Sequence, residues 1–276
     1  MITDSASGRA YFNPSPMQTP LYLPADDNIL VGGAETHVSY EAAHVHTNDP
    51  NFRMEIQEET ATKMDMKVTY FAWGSESTLS PANQHLFQWH QGGHYLDASG
   101  QEYLTWGWWE DTQSPSGLIG SSGAGDFYVA DGKIWEVEGH TTHPDYITYL
   151  QQQNAIYSYS GEVKGVAADS AAANVSILTG TFSCNIDFGD PKLYDFQIDV
   201  AGPVPIHMAN GNGPLDSDGS FDLTGFTGTI AGNPINAMGT GAGGGVCGGK
   251  AEGMGGTWTT NDGAGKWATG EFHGKR

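Results

Sequence analysis

Two cysteines in 276 residues rule out a disulfide-dense scaffold, and Cys184 and Cys247 allow at most one bridge. On a strand read by alternation, Cys184 shares the apolar face with Leu178, Phe182, Ile186 and Phe188. Two buried free thiols are the favoured reading, since a disulfide needs the two strands to be neighbours. Basic residues are also scarce: 11 Lys and Arg face 32 Asp and Glu, for a net charge of -21. That balance excludes nucleic acid as a partner, because phosphate binding is driven by Lys and Arg. A surface of this sign repels anionic membranes, accepts cations or basic partners, and favours solubility in an extracellular medium. No run approaches the ~18 apolar residues of a membrane-spanning helix. Met1-Ile2-Thr3-Asp4 lacks the basic and apolar regions of a signal peptide. Also missing are a Gly-x-Ser-x-Gly elbow, a phosphate loop and a dinucleotide fingerprint. Glu136 and Glu138 are spaced like a glycosidase pair, but Trp135 and Val137 beside them read as half-buried strand alternation. The chain is not expected to be an enzyme.

What is abundant is glycine, 39 residues without a three-residue period, scattered among Thr, Ser and Tyr. This excludes collagen and suits many short strands joined by tight turns. Aromatic residues make up 11% of the chain, enough for a packed core rather than a disordered one.

Three segments follow. Residues 1–50 carry Pro14, Pro16, Pro20 and Pro24 and show little period, as in a linker, a tail or a strand donated to a neighbouring copy. Residues 51–154 form a β-rich subdomain. Within it Lys63–Ala72 alternates, Tyr103–Trp109 and Asp126–Ala130 are further strands, and Pro144–Asn154 is a short helix. Thr142 or His143 caps that helix, Pro144 suits its first turn, and Ile147 and Leu150 face inward. Residues 155–276 read as strand throughout: 157–163, 177–188, 193–200, 221–230, 243–249, 254–260 and 266–273. Asn261-Asp262-Gly263 marks a hairpin turn between the last two. The fold class is all-β: an eight-stranded antiparallel up-and-down barrel preceded by a β-rich subdomain with one short helix.

Within 155–276, Tyr159-Ser160-Gly161, Gly180-Thr181-Phe182 running to Asp187-Phe188-Gly189, and Ala251-Glu252 with Gly255-Gly256 lead to a Lys275-Arg276 ending. These residues resemble the β-barrel domain of the transferrin-binding protein B family of Gram-negative surface lipoproteins and their solute-binding relatives. Val246-Cys247-Gly248-Gly249 departs from the family's Phe-Tyr-Gly-Pro, and Trp258 replaces its usual Phe. The resemblance implies export to the extracellular medium or the bacterial outer-membrane surface; of the two readings of the missing signal peptide, a cytoplasmic protein or a mature or excised chain, it favours the second. It also implies binding of a host protein, haem or a small solute. The rival expectation is a structural surface protein, an adhesin or filament subunit that self-assembles by strand addition through residues 1–50.

Candidate binding residues come from the aromatic and histidine clusters. Trp106-Gly107-Trp108-Trp109 is the densest aromatic run, with Trp106 and Trp108 on one strand face and Trp109 on the other. Core packing and a ligand-stacking surface are its two readings. His85, His90 and His94 surround Trp89 in a Gln/Gly-rich stretch read as a loop; their imidazoles suit zinc, copper or haem iron, but their spacing matches no tight metal motif, and solvated loop histidines are the favoured reading. Asp216, Asp218 and Asp222 resemble part of a calcium loop but lack the Glu that completes an EF-hand, so a hairpin turn explains them equally well.

Overall fold

The computed structural model describes residues 85–113, 132–168 and 175–276 with their side chains. Outside these it describes only the backbones of strands within 2–84 and 118–129. The first strands are β1 (Ile2–Asp4), β2 (Arg9–Phe12), β3 (Leu21–Pro24), β4 (His37–Ala43), β5 (Val45–Thr47), β6 (Phe52–Thr60), β7 (Lys63–Ala72) and β8 (Ser75–Ser77). Then come β9 (Gln84–Leu96), β10 (Glu102–Asp111), β11 (Leu118–Ser122), β12 (Gly125–Val129), β13 (Lys133–His140) and helix α1 (Pro144–Gln152). The remainder comprises β14 (Ile156–Ala168), β15 (Val175–Asp187), β16 (Lys192–Val200), β17 (Ile206–Pro214) and β18 (Ser220–Leu223). It ends with β19 (Thr227–Ile230), β20 (Asn233–Pro234), β21 (Gly241–Cys247), β22 (Gly253–Asn261) and β23 (Trp267–Lys275).

The chain folds as two compact units. Residues 1–23, 43–91 and 107–134 make the first, and 24–42, 92–106 and 135–276 the second. In the first, strands run β1-β2-β6-β7-β9 with the end of β10 beyond, and β11, β12 and β5 form a small separate sheet. The second holds the barrel together with the end of β9, the start of β10, and the β13–β4 pair.

The barrel is built from strands in the order β18-β21-β22-β23-β14-β15-β16-β17. It closes where β17 meets β18 through the Leu215–Phe221 and Asn212–Thr224 bridges. That makes eight antiparallel strands, as the alternation of apolar and polar residues predicts. Tyr159, Val163 and Ala167 of β14 point inward with Cys184, Ile186, Phe196 and Ile198 of β15 and β16. The interior is filled by Phe182, Phe196, Phe221, Phe226, Phe272 and Trp258, with Phe182 and Phe196 both about 5 Å from Phe272.

Rings this large fit inside eight strands because glycines face them. A Cβ on Gly274 would lie 2.7 Å from the Phe182 ring, and one on Gly244 3.0 Å from Phe221. A Cβ on Gly211 would fall within contact distance of three Phe226 ring carbons. Helix α1 adds Ile147 and Leu150 to this core. His143 caps it, its Nδ1 accepting from the Asp145 amide at 3.0 Å, with Pro144 in the first turn.

The structure corrects several strand expectations. Residues 206–214 form β17, which the sequence does not suggest, because His-Met-Ala-Asn-Gly-Asn-Gly-Pro has no clean alternation and bulges interrupt its pairing. The single strand expected over 221–230 is two, β18 and β19, parted at Gly225 with φ +75°. The segment 1–50, expected to be irregular, contains β1 to β5, and Pro14, Pro16 and Pro20 fall between β2 and β3. Within the chain β2 pairs with β6.

The two thiols are free and buried, so the disulfide reading is replaced by the free-thiol one. Cys184 lies in the barrel core, whereas Cys247 lies with Tyr103, Leu104, Trp106 and Val137 on strands that β15 does not adjoin. Burial pushes both thiols up, Cys247 to about 12, which suppresses the reactive thiolate. Neither cysteine is therefore expected to react with a disulfide reagent such as DTNB in the folded protein, and both should react in denaturant. Gly211→Ala should cost about 1–3 kcal/mol in urea unfolding through overpacking against Phe226. Gly249→Ala, with nothing near its added methyl, should be neutral by the same measurement.

Candidate functional site

Alternation along β10 sends Trp108 and Glu110 to one face and Gly107, Trp109 and Asp111 to the other. On the first face the imidazole of His90, from neighbouring β9, stacks on Trp108 with centroids 5.5 Å apart and planes within 7°. Glu110 holds the edge of this stack. Its Oε2 lies 3.4 Å from Trp108 Nε1, which donates to it, and 3.4 Å from His90 Nε2. Lys133 reaches its other oxygen at 3.9 Å. His90 and Trp108 are both half-buried. Two parallel rings with a carboxylate at one edge can stack on a flat ligand or receive a cation.

The opposite face of the same strands is structural. Trp89 and Trp109 pack at 5.3 Å, and Trp89 sits against Gly107, where a Cβ would be 2.8 Å from its ring. His85 is buried, with Nδ1 2.7 Å from the equally buried Asp111 carboxylate. A buried imidazole engaged in this way orients the strand rather than meeting solvent.

Trp106 belongs to the barrel-bearing unit and is buried there. Its ring stacks on His273 at 3.7 Å, and Tyr95 closes over it at 4.7 Å. Gly92 and Gly93 leave room for the indole. His273 Nδ1 lies 2.8 Å from Glu271 Oε2, and its Nε2 is 3.8 Å from Glu162. Glu271 is fully buried; its Oε1, like Trp106 Nε1, has no hydrogen-bond partner among the described residues. Desolvation raises the Glu271 carboxyl, and the bond to His273 and the charge of Lys164 pull it part of the way back. His94 of this unit is exposed, 3.4 Å from Glu102.

Of the six aromatic and histidine candidates, His90 and Trp108 are thus brought together at a half-open surface. Trp106, Trp109 and His85 are packing residues, and His94 stands beside Glu102. Sequence reading passed over Glu110 and Lys133, although the two-residue step from Trp108 to Glu110 places both on one strand face. Asp216 and Asp218 shape the turn between β17 and β18. The Asp216 carbonyl accepts from the Gly219 amide at 3.0 Å, and Asp218 Oδ1 accepts from the Ser220 amide and hydroxyl. Gly219 supplies φ +86°, and Asp222 lies exposed on β18. No cluster of three or more metal-ligating side chains occurs among the described residues.

No protein-family model and no curated protein matches the chain. Its fold is similar to that of several solved structures. One is a mutant of the vaccine antigen transferrin binding protein B from Haemophilus parasuis, at 11% identity and TM-score 0.42, covering 94% of this chain and 63% of that one. A surface lipoprotein matches at 14% identity and TM-score 0.36, covering 80% of this chain and 95% of that one. The N-lobe of lactoferrin binding protein B of Moraxella bovis matches at 13% identity and TM-score 0.38, covering 68% and 80%. The chain spans about three fifths of the transferrin binding protein B structures it matches.

Glu271 generates a pH prediction. Folding raises its carboxyl above the ordinary value of 4.5, so its stabilising effect is complete below that value and is lost as pH climbs through the folded one. Glu271→Gln, neutral at every pH, should remove this part of the fall in urea midpoint between pH 4.5 and 8. Identical pH slopes for the two proteins would contradict it.

Proposed function

We propose that the chain is a non-enzymatic extracellular or cell-surface binding module that engages its ligand on its β surface rather than inside the barrel. The half-open His90–Trp108 stack, with Glu110 at its edge, carries this reading. The barrel interior supports it from the other side, because aromatic side chains fill the space in which an eight-stranded barrel would hold a small ligand. The acidic composition and the family resemblance of 155–276 fit a surface setting.

A flat, amphipathic ligand such as haem, or an aromatic or cationic side chain of a partner protein, matches the stack. Haemin is the direct probe, read at its Soret band and by quenching of tryptophan fluorescence. Binding is expected to weaken about tenfold in Trp108→Ala or His90→Ala, equivalent to about 1.4 kcal/mol. Trp109→Phe, on the packed face, should leave it unchanged. No Soret shift, or a shift indifferent to both surface substitutions, removes haem as the ligand of this face.

A further inference from the structure

β16 and β17 pair in an unusual way. Leu193 faces Gly213, Phe196 faces Gly211, and Ile198 faces Met208. Between the first two pairs, Tyr194 and Asp195 on β16 oppose Asn212 alone. Between the second two, Ala209 and Asn210 on β17 oppose Gln197 alone. Each strand therefore carries a bulge, and the two cancel, so that Asp199 and His207 pair again in the original register. The barrel gains no register change from this device. Asp195 and Asn210, at the two bulges, adopt left-handed backbone with φ +55° and +63°, a region that Asp and Asn enter more readily than most side chains but less readily than glycine.

At the paired bulges lies a groove of about 620 Å³, lined by Tyr194, Asp195, Asn210, Asn212 and Lys192, with Leu193, Gly213 and Pro214. This lies within the range of ~300–1,000 Å³ usual for small-molecule sites. Its polar groups are partly fixed already. Asn212 Nδ2 donates to the Asn210 carbonyl at 3.0 Å, and Asn210 Nδ2 donates to Thr227 Oγ1 at 2.8 Å. Each amide thus keeps its oxygen for a ligand. The side chains of Tyr194 and Asp195 make no hydrogen bond or ion pair with a described residue. Lys192 is committed to Asp190.

We infer that this groove binds a neutral carbohydrate. An anion is disfavoured, because the one lining cation is neutralised by Asp190 and Asp195 adds a negative charge. A single carboxylate among amides gives only a weak cation site, since hard cations gather more oxygen ligands. Vicinal sugar hydroxyls meet the paired acceptors of a carboxylate and the acceptor oxygens of amides, while the apolar C–H face of the sugar rests on the Tyr194 ring. The groove shares no residue with the His90–Trp108 stack, so either assignment can fail without the other.

The test is saturation-transfer NMR on the full chain with lactose, maltotriose and N,N′-diacetylchitobiose as probes. Transfer to the ring protons of at least one sugar is expected, and its loss in both Tyr194→Ala and Asp195→Gly. Asp195→Gly also relaxes the left-handed residue, so its urea midpoint should equal or exceed that of the parent. Absence of transfer to all three sugars overturns the assignment, as does transfer that persists in either variant. A midpoint that falls together with binding in Asp195→Gly would make the carboxylate a structural group and overturn it as well.

Discussion

Aromatic rings seated on glycines are the contact on which the rest of the molecule depends. Phe226 over Gly211, Phe182 against Gly274 and Phe221 against Gly244 fill a barrel too narrow for two bulky side chains at the same level. The rule extends beyond the barrel, to Trp106 on Gly92 and Gly93 and to Trp89 on Gly107. Each ring supplies the buried area that a glycine lacks, and each glycine supplies the space the ring needs. The barrel interior is thereby filled by side chains.

The shortage of basic residues shapes the polar contacts in the same pervasive way. Histidine takes the position opposite a carboxylate at His85–Asp111, His90–Glu110, His94–Glu102, His207–Asp199 and His273–Glu271. Where such a pair is buried, as at His85 or His273, it ties strands together. At His90 the same pairing is half-buried. One chemical pairing thus occurs in two settings that differ in burial.

Much of the barrel was legible in the sequence because its strands have one buried face, and alternation with period two records that face directly. Tyr159 and Val163, the run from Leu178 to Phe188, and Phe196 to Val200 all show it, whereas Tyr194 falls outside the pattern at the β16 bulge. The turn at Asn261-Asp262-Gly263 and the cap at His143 were equally readable, since both depend on local hydrogen bonds. β17 was not readable: its bulges shift the alternation, and its glycines record a neighbour's ring rather than their own face. For the same reason the three histidines near Trp89 looked equivalent in sequence, although their surroundings differ sharply.

The sequence by itself determined the all-β class, the barrel in the last 120 or so residues, the short capped helix and the acidic surface. These follow from period, composition and near-neighbour hydrogen bonding, which are properties of short segments. Only the tertiary structure decided which tryptophans are half-buried and which are buried, and which histidine meets solvent. It alone showed that the two thiols lie on strands that are not neighbours, and that paired bulges open a groove between β16 and β17. Those outcomes depend on which strand lies beside which, and in what register, information that no short segment contains.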